Sequence, residues 1–235
     1  MQLHLFSTPG VESIEYILAA SRSILENQNN PIVAYLPAAS IHRRWIRETK
    51  AAFRGLTSVS AIKVGVHSAE RIRSILDQAT LLYIPGGNTY LFAQRLHETQ
   101  LTHSGETRSL FEEIKTRVVN GLPLMAFSAG AVLCGRDILT TNDINCCGCP
   151  RFEGLDLLPF NLNVHYPSSP GPEREARDDR LQAYLVFHKH SIVALEDGAY
   201  LRVTGEETTL VHGNAWRLVR GKPTLSFQPT AFRTK

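Results

Sequence analysis

An alternation of short apolar runs with longer helical patterns fills the first half of the 235-residue chain and constrains its fold more than any other feature. Runs rich in β-branched residues and leucine predict strands at residues 3–7, 32–36, 59–64, 81–84 and 123–127. Apolar residues at helical spacing predict helices at residues 11–25, 42–53, 68–76, 89–97 and 107–119. Strands that alternate with helices form a mostly parallel sheet with helices on both faces. The pattern therefore predicts an α/β chain folded as a three-layer α/β/α sandwich.

The final third of the chain has a different pattern. A predicted helix at residues 173–187 is followed by short strands at residues 192–195, 199–203, 208–211, 216–219 and 224–227. Strands spaced this closely predict antiparallel pairing added to the edge of the sheet. Because no repeat, low-complexity tract or linker interrupts the chain, we expect one domain over residues 1–235.

Composition and charge exclude several classes of protein. The 25 Lys and Arg against 22 Asp and Glu leave a net charge of +3, too small and too dispersed for a nucleic-acid partner. No apolar run reaches the roughly 20 residues that span a bilayer, and the first strand lacks the features of a signal peptide. The four cysteines crowd into residues 134–149, which predicts reduced thiols in the cytoplasm. Cys146 and Cys149 supply one C-x-x-C without a second pair, so we expect neither a metal nor another cofactor.

The most informative segment is the apolar strand that runs into Ser128 and continues through small residues. Strand, turn and helix with a serine at the apex is the pattern of a nucleophile elbow, which exposes the hydroxyl above the sheet. Small residues at positions 129 and 130 keep bulky Cβ groups away from the turn and from a substrate. The N–H groups that open the next helix, including that of Ala129, favour a developing negative charge. Ala126 stands where the G-x-S-x-G pattern has its first glycine, so a structural serine N-cap is the alternative interpretation.

A second loop, Pro-Gly-Gly-Asn-Thr at residues 85–89, follows another predicted strand. Ligands of open α/β sheets bind beyond the carboxyl ends of the strands. There the N–H of Gly87 could join that of Ala129 in an oxyanion hole. A purely steric Gly-Gly turn and a phosphate-binding loop are the alternatives, although the loop lacks the lysine and spacing of a P-loop.

Four motifs occur in a specific order: Gly-Gly-Asn-Thr at 86–89, Ser-Ala-Gly-Ala at 128–131, Thr-Thr-Asn-Asp at 140–143 and Asn-Val-His-Tyr at 163–166. With this order the chain resembles the serine dipeptidase E (α-aspartyl dipeptidase) family, from the first strand to the Leu-Glu-Asp-Gly run at 195–198. The resemblance implies a class I glutamine-amidotransferase-like, flavodoxin-like fold in which serine replaces the usual cysteine nucleophile. It also implies a cytoplasmic exopeptidase that cleaves dipeptides with an N-terminal aspartate and needs no metal.

Serine chemistry on an amide needs a base and a group that orients the base. The resemblance implies Ser128 as nucleophile, His165 as base and Asp143 as the orienting acid. Glu196 and Asp197, which follow a predicted strand, are the alternative acids.

The resemblance also implies the residues that select the substrate. Arg177 matches the arginine of the family, and a guanidinium can hold an aspartyl carboxylate through two hydrogen bonds. We expect Asn88 and Thr89 to contact the substrate as well. A solvated helix face of alternating charge is the alternative interpretation of Arg177.

We therefore predict a serine dipeptidase that works through an acyl-enzyme on a small peptide, with no nucleic-acid or membrane partner, as a monomer or homodimer. One alternative is a related serine peptidase with another specificity, such as that of cyanophycinases for β-linked aspartyl chains. A non-catalytic ligand-binding protein on the same scaffold is the other.

Overall fold

The computed structural model of the protein describes residues 1–8, 14–40, 44–103, 105–227 and 230–231. Its helices are α1 Ile14–Leu25, α2 Arg44–Ala52, α3 Ala69–Asp77, α4 Thr89–Glu98, α5 Leu110–Val119, α6 Ala129–Leu133 and α7 Pro172–Phe187. Its strands are β1 Gln2–Phe6, β2 Ile32–Tyr35, β3 Ser58–Ala61, β4 Leu81–Ile84, β5 Gln100–His103, β6 Glu106–Ser109, β7 Leu124–Phe127, β8 Asn161–Tyr166, β9 Ile192–Glu196, β10 Tyr200–Thr204, β11 Glu207–His212, β12 Ala215–Leu218, β13 Leu225–Ser226 and β14 Thr230–Ala231.

The main sheet joins eight strands of the described residues in the order β14-β11-β10-β1-β7-β4-β2-β3. From β1 to β3 every neighbouring pair is parallel. Because the carboxyl ends of parallel strands lie at one edge, the residues that follow β1, β4 and β7 meet there. The α/β prediction is confirmed.

Alternating side chains of each central strand enter two different cores. Leu124 and Ala126 of β7 belong to a core shared with α3, α4, α5 and α6. Met125 and Phe127 belong to a second core, which contains Ala20 of α1. Since successive side chains of a strand point to opposite faces, helices cover both faces of the sheet.

The final third is only partly as predicted. Strands β10, β11 and β14 extend the β1 edge with antiparallel pairs, as expected. In the described residues, however, β13, β12, β9 and β8 form a separate four-stranded sheet. Its strands β8 and β9 are parallel, and α7 connects them. Leu181 and Leu185 of α7 pack on this sheet, so the helix that links the two strands also covers them.

Element boundaries differ from the sequence prediction in a few places. Residues 11–13 and 42–43, which were predicted to start two helices, lie outside the described residues. The predicted helix at 107–119 begins later, because Ser109 and Glu112 form a reciprocal capping box at its start. Strands β5 and β6 form a hairpin that was not predicted. None of the described helices is both long and apolar enough to cross a membrane.

Candidate active site

Ser128 occupies the turn between β7 and α6 with a φ of 48° and a ψ of −112°. A residue other than glycine adopts this region only when its surroundings impose it. Its N–H donates to the carbonyl of Phe6 on β1 at 2.9 Å, and its own carbonyl accepts from the N–H of Val132 at 3.0 Å. The turn is thus fixed from the neighbouring strand and from the first turn of the following helix.

Two glycines allow close approach around the elbow. A Cβ on Gly130 would lie 2.5 Å from Cγ2 of Ile84, so α6 can pack on β4 only with glycine at this position. A Cβ on Gly86 would lie 3.1 Å from Cβ of Ser128. The glycine loop after β4 therefore lies directly against the elbow, as expected for two loops at the carboxyl edge of the sheet. The constraint at Gly130 is helix packing rather than access for a substrate.

His165 lies in a local irregularity of β8, where the pairing with β9 shifts register between Asn163 and Tyr166. Its φ is 54°, and its side chain is 41% exposed although Val164 and Tyr166 on either side are buried. The bulge therefore turns the imidazole out of the small sheet. Nε2 of His165 lies 2.9 Å from Oγ of Ser128.

The other ring nitrogen of His165, Nδ1, lies 2.7 Å from Oδ1 of Asp197. A carboxylate only accepts hydrogen bonds, so Nδ1 carries the ring proton and donates a hydrogen bond to Asp197. Nε2 is left to accept a hydrogen bond from the Ser128 hydroxyl. Asp197 follows β9 and its side chain is 66% exposed. Glu196, the other alternative acid, is buried and accepts hydrogen bonds from Asn214 and Trp216.

The position of Asp143 does not fit its predicted role as the orienting acid. Its Oδ2 accepts from the N–H and the hydroxyl of Thr89 at 2.8 and 2.6 Å, and from the Thr141 hydroxyl at 3.1 Å. No hydrogen bond joins it to His165 within the described residues. Asp143 instead ties the segment after residue 140 to the first turn of α4, and the carboxylate in contact with His165 is that of Asp197, one of the two alternative acids.

Asn88 and Thr89, predicted to contact the substrate, both have structural partners. Asn88 caps α4 by accepting from the N–H of Leu91 at 3.0 Å, and its amide donates to the carbonyl of Ile144 at 3.0 Å. Thr89 is 1% exposed, so its side chain cannot reach a ligand without a rearrangement of α4. Both residues were assigned from the motif alone, in which a cap and a ligand contact look the same.

The two predicted oxyanion donors belong to the two loops that meet at Ser128. Ala129 opens α6, so its N–H belongs to the first turn, where N–H groups have no partner within the helix. Gly87 is exposed and has a φ of 142°, and a Cβ there would lie 2.2 Å from the carbonyl oxygen of Ala39. Only glycine therefore fits this loop against the segment after β2.

Arg177 of α7 directs one end of its guanidinium at the histidine strand. Nη1 contacts the carbonyl oxygen of His165 at 3.1 Å, the carbonyl oxygen of Val164 at 3.4 Å and Oδ1 of Asn163 at 3.2 Å. Its other edge, formed by Nε and Nη2, makes no hydrogen bond to the described residues. Burial and the neighbouring Arg180 lower the pKa of this guanidinium.

A cleft of about 950 Å³ opens beside His165. Arg177, Asp197, Glu196 and the proline-rich loop at residues 167–172 line it. The cleft is large enough for a small peptide and carries charged groups of both signs. Nowhere in the described ranges do three His, Cys, Asp or Glu side chains form a cluster that could hold a metal.

Ser7 is a residue of the site that the sequence analysis did not identify. It follows β1, is 0% exposed, and accepts a hydrogen bond from the N–H of His165 at 2.9 Å. A serine at the end of a buried strand carries no local pattern. Its position next to the carboxyl edge of the predicted sheet was the available signal.

A strained serine elbow in contact with a histidine, at the carboxyl edge of a mostly parallel sheet, is an arrangement typical of serine hydrolases. Residues 3–211 match the family model described as Peptidase family S51. The chain belongs to peptidase family S51, and the resemblance found in its motifs is confirmed.

Curated relatives agree with this assignment, and a solved structure shares the fold. The chain is 32% identical to "Peptidase E" of Actinobacillus pleuropneumoniae serotype 3 (strain JL03) over 182 residues, which are 76% of this chain and 74% of the relative. It is 33% identical to "Probable alpha-aspartyl dipeptidase" of Drosophila melanogaster over 151 residues, 63% of this chain and 59% of that protein. The crystal structure of a "Putative Peptidase E Protein" from Listeria monocytogenes EGD-e matches with a TM-score of 0.67 at 19% identity, covering 90% of this chain and 98% of that one. The last comparison supports the fold.

Proposed function

We propose that this peptidase is a serine dipeptidase that cleaves dipeptides with an N-terminal aspartate through an acyl-enzyme. The observation that carries the proposal is the line of contacts from Ser128 Oγ to His165 Nε2 at 2.9 Å and from His165 Nδ1 to Asp197 Oδ1 at 2.7 Å. A nucleophile, a base and an orienting acid in this relation are the requirement for acyl transfer. The names of the relatives supply the substrate class.

In the first half of the reaction, Ser128 Oγ attacks the peptide carbonyl carbon while its proton passes to His165 Nε2. Asp197 holds Nδ1–H and stabilises the imidazolium that forms. The N–H groups of Gly87 and Ala129 donate to the developing oxyanion. The Nε2 proton then passes to the leaving amine, the C–N bond breaks, and the acyl group remains on Ser128.

In the second half, water attacks the ester carbonyl while His165 Nε2 takes one of its protons. The tetrahedral intermediate collapses, the proton returns to Ser128 Oγ, and the carboxylic acid product leaves. Both halves use the same histidine, so one geometry serves both proton transfers.

Specificity for aspartate is assigned to Arg177. Its three hydrogen bonds all use Nη1, which leaves the Nε–Nη2 edge for a ligand of the cleft. This edge has the spacing of a carboxylate and can bind one through two parallel hydrogen bonds. A charge-assisted contact of this kind contributes about 1.5–3 kcal/mol, which corresponds to roughly 10- to 150-fold in kcat/KM.

Hydrolysis of a small dipeptide panel tests this proposal. The wild type is expected to cleave Asp-Leu at least about tenfold better than Asn-Leu or Ala-Leu, and to reject N-acetyl-Asp-Leu. Arg177→Ala should remove most of this preference, and Arg177→Lys should restore only part of it. Arg180→Ala is the matched control, because Arg180 lies on the same helix and binds the Thr141 carbonyl and Asn142 but does not itself line the cleft. Equal cleavage of Ala-Leu and Asp-Leu by the wild type would contradict the aspartyl assignment. The serine mechanism would then still be tested separately, by labelling of Ser128 with a fluorophosphonate.

A further inference from the structure

The Ser7 hydroxyl lies between the base and the acid of the site. It accepts the N–H of His165 at 2.9 Å, and it faces Oδ1 of Asp197 at 3.4 Å and the carbonyl of Leu195 at 3.3 Å. Its side chain is 0% exposed, so the Ser7 hydroxyl is out of reach of bulk solvent. Ser7 thus connects the two residues on which the Ser128 proton transfer depends in the proposed mechanism.

The contact to His165 acts on a strained backbone. The φ of 54° at His165 falls in the left-handed region, which residues with a side chain adopt only under constraint. The bulge removes His165 from the regular pairing of β8 with β9, so its N–H needs another acceptor. Ser7 Oγ supplies that acceptor and so holds the backbone in the conformation that points the imidazole at Ser128.

The number of hydrogen bonds that the Ser7 hydroxyl can donate and accept limits its remaining contacts. A serine hydroxyl has one proton and two acceptor positions. Because one acceptor position serves His165 N–H, the proton is available to either the Asp197 carboxylate or the Leu195 carbonyl. Both distances exceed the usual length of an O–H···O hydrogen bond, as expected for one proton shared between two acceptors. Either acceptor anchors Ser7 to the end of β9, the strand that Asp197 directly follows.

Ser21 shows what a buried serine without this role looks like. It is also 0% exposed, but it donates to the Ile17 carbonyl within α1 at 2.7 Å and lies beside Sδ of Met125 at 3.9 Å. None of its partners belongs to the site. Ser7 and Ser21 are therefore equally buried, but only Ser7 forms hydrogen bonds with residues of the site.

We infer that Ser7 is a positioning residue of the peptidase reaction, which acts by fixing His165 and Asp197 relative to Ser128. This inference rests on the proposed function, because it assigns Ser7 a role through those residues. Loss of its hydroxyl is expected to impair proton transfer and to leave the binding of substrate nearly unchanged.

The experiment compares Ser7→Ala, Ser7→Cys and Ser21→Ala with the wild type on Asp-Leu, with Tm measured for each. Ser7→Ala should lower kcat about 10- to 100-fold with KM within about threefold. Ser7→Cys, whose thiol is a weaker donor and acceptor, should fall between Ser7→Ala and wild type. Ser21→Ala should retain kcat whatever its Tm.

Two outcomes would overturn the inference. The first is that both Ser7 variants keep the wild-type kcat. The second is that kcat falls in proportion to the decrease in Tm, and does so to the same degree in the Ser7 and Ser21 variants. Ser128→Ala in the same assay separates this inference from the proposed function. If Ser128→Ala is inactive and Ser7→Ala is not impaired, only the role of Ser7 fails. If Ser128→Ala stays active, the proposed mechanism itself fails.

Discussion

Ser128 and His165, whose side chains meet at 2.9 Å, both have a left-handed backbone, with φ of 48° and 54°. Residues other than glycine in such conformations cost about 1–3 kcal/mol each, and the surrounding structure must supply that energy. Both backbones are held from the same strand end: the Phe6 carbonyl accepts the N–H of Ser128, and the Ser7 hydroxyl accepts that of His165. The end of β1 therefore fixes the position of Ser128 relative to His165.

The strain at Ser128 predicts a conflict between activity and stability. Ser128→Ala and Ser128→Gly should both lose kcat by about a thousandfold or more, since each removes the nucleophile. Glycine tolerates the positive φ, so Ser128→Gly should be more stable than Ser128→Ala by about 1 kcal/mol in urea unfolding. Ser23, an exposed residue inside α1, is the control. There the order should reverse, with glycine less stable than alanine by about 1 kcal/mol. If Ser128→Ala were as stable as Ser128→Gly, the result would contradict the conclusion that the backbone at residue 128 is strained.

Replacing each of the two candidate acids with asparagine distinguishes their roles. Asp197→Asn should lower kcat by about a hundredfold or more, because an amide in place of the carboxylate no longer favours the proton on Nδ1 of His165. Asp143→Asn should change kcat less than about tenfold and lower Tm instead, since Asp143 holds Thr89 and Thr141. Steady-state kinetics and thermal unfolding of both variants give the answer. The opposite ranking would return the orienting role to Asp143.

The glycine loop should tolerate no side chain at position 87. A Cβ on Gly87 would lie 2.2 Å from the Ala39 carbonyl oxygen, which also accepts the Asn88 N–H at 2.9 Å. Gly87→Ala must therefore displace the loop, with an expected loss of at least about 2 kcal/mol in stability and tenfold in kcat. Gly121→Ala is the control, because φ is 110° there and a Cβ would meet no described heavy atom within 4 Å. That variant should lose about 1–2 kcal/mol and keep its kcat.

The buried His4 predicts a loss of stability in mild acid. Burial, followed by the charge of Arg202, lowers its pKa from 6.5 to about 4 in the folded protein. As pH falls below 6.5 the unfolded chain takes up a proton that the folded protein refuses until about pH 4, so stability decreases through this window. The decrease due to His4 amounts to at most about 3 kcal/mol. Urea unfolding at pH 7 and pH 4.5 should show a smaller pH difference for His4→Gln than for the wild type. Equal differences in the two proteins would exclude His4 as the cause.

Much of the fold could be predicted because its strands and helices follow from the local spacing of apolar residues. The strands that become β2, β4 and β7 are short apolar runs, and buried parallel strands need such runs. Strand partners are a different matter, since β8 and β9 pair with each other and not with the main sheet. That choice depends on which surface α7 covers, and no pattern within either strand records it.

The site divides in the same way. Ser128 and His165, which the structure brings into contact, could be singled out from sequence, because an elbow needs small residues around its serine and the motif marks the histidine. Glu196 and Asp197 are neighbours in sequence, and only the turn after β9 decides which of them faces His165. Ser7 could not be found, because its role arises from contacts with residues 165, 195 and 197.

The pairing of β1 with β10 makes enzymatic activity a late event in the life of the chain. His4 and Tyr200, which touch across these strands, are 196 positions apart. During synthesis β1 is made long before β9 and β10, so Ser128, His165 and Asp197 come together only after those later strands have been made. Pairing over so long a separation is also among the slower steps of folding. A chain that has not yet formed these pairings therefore carries Ser128 without the complete line of contacts that joins it to His165 and Asp197.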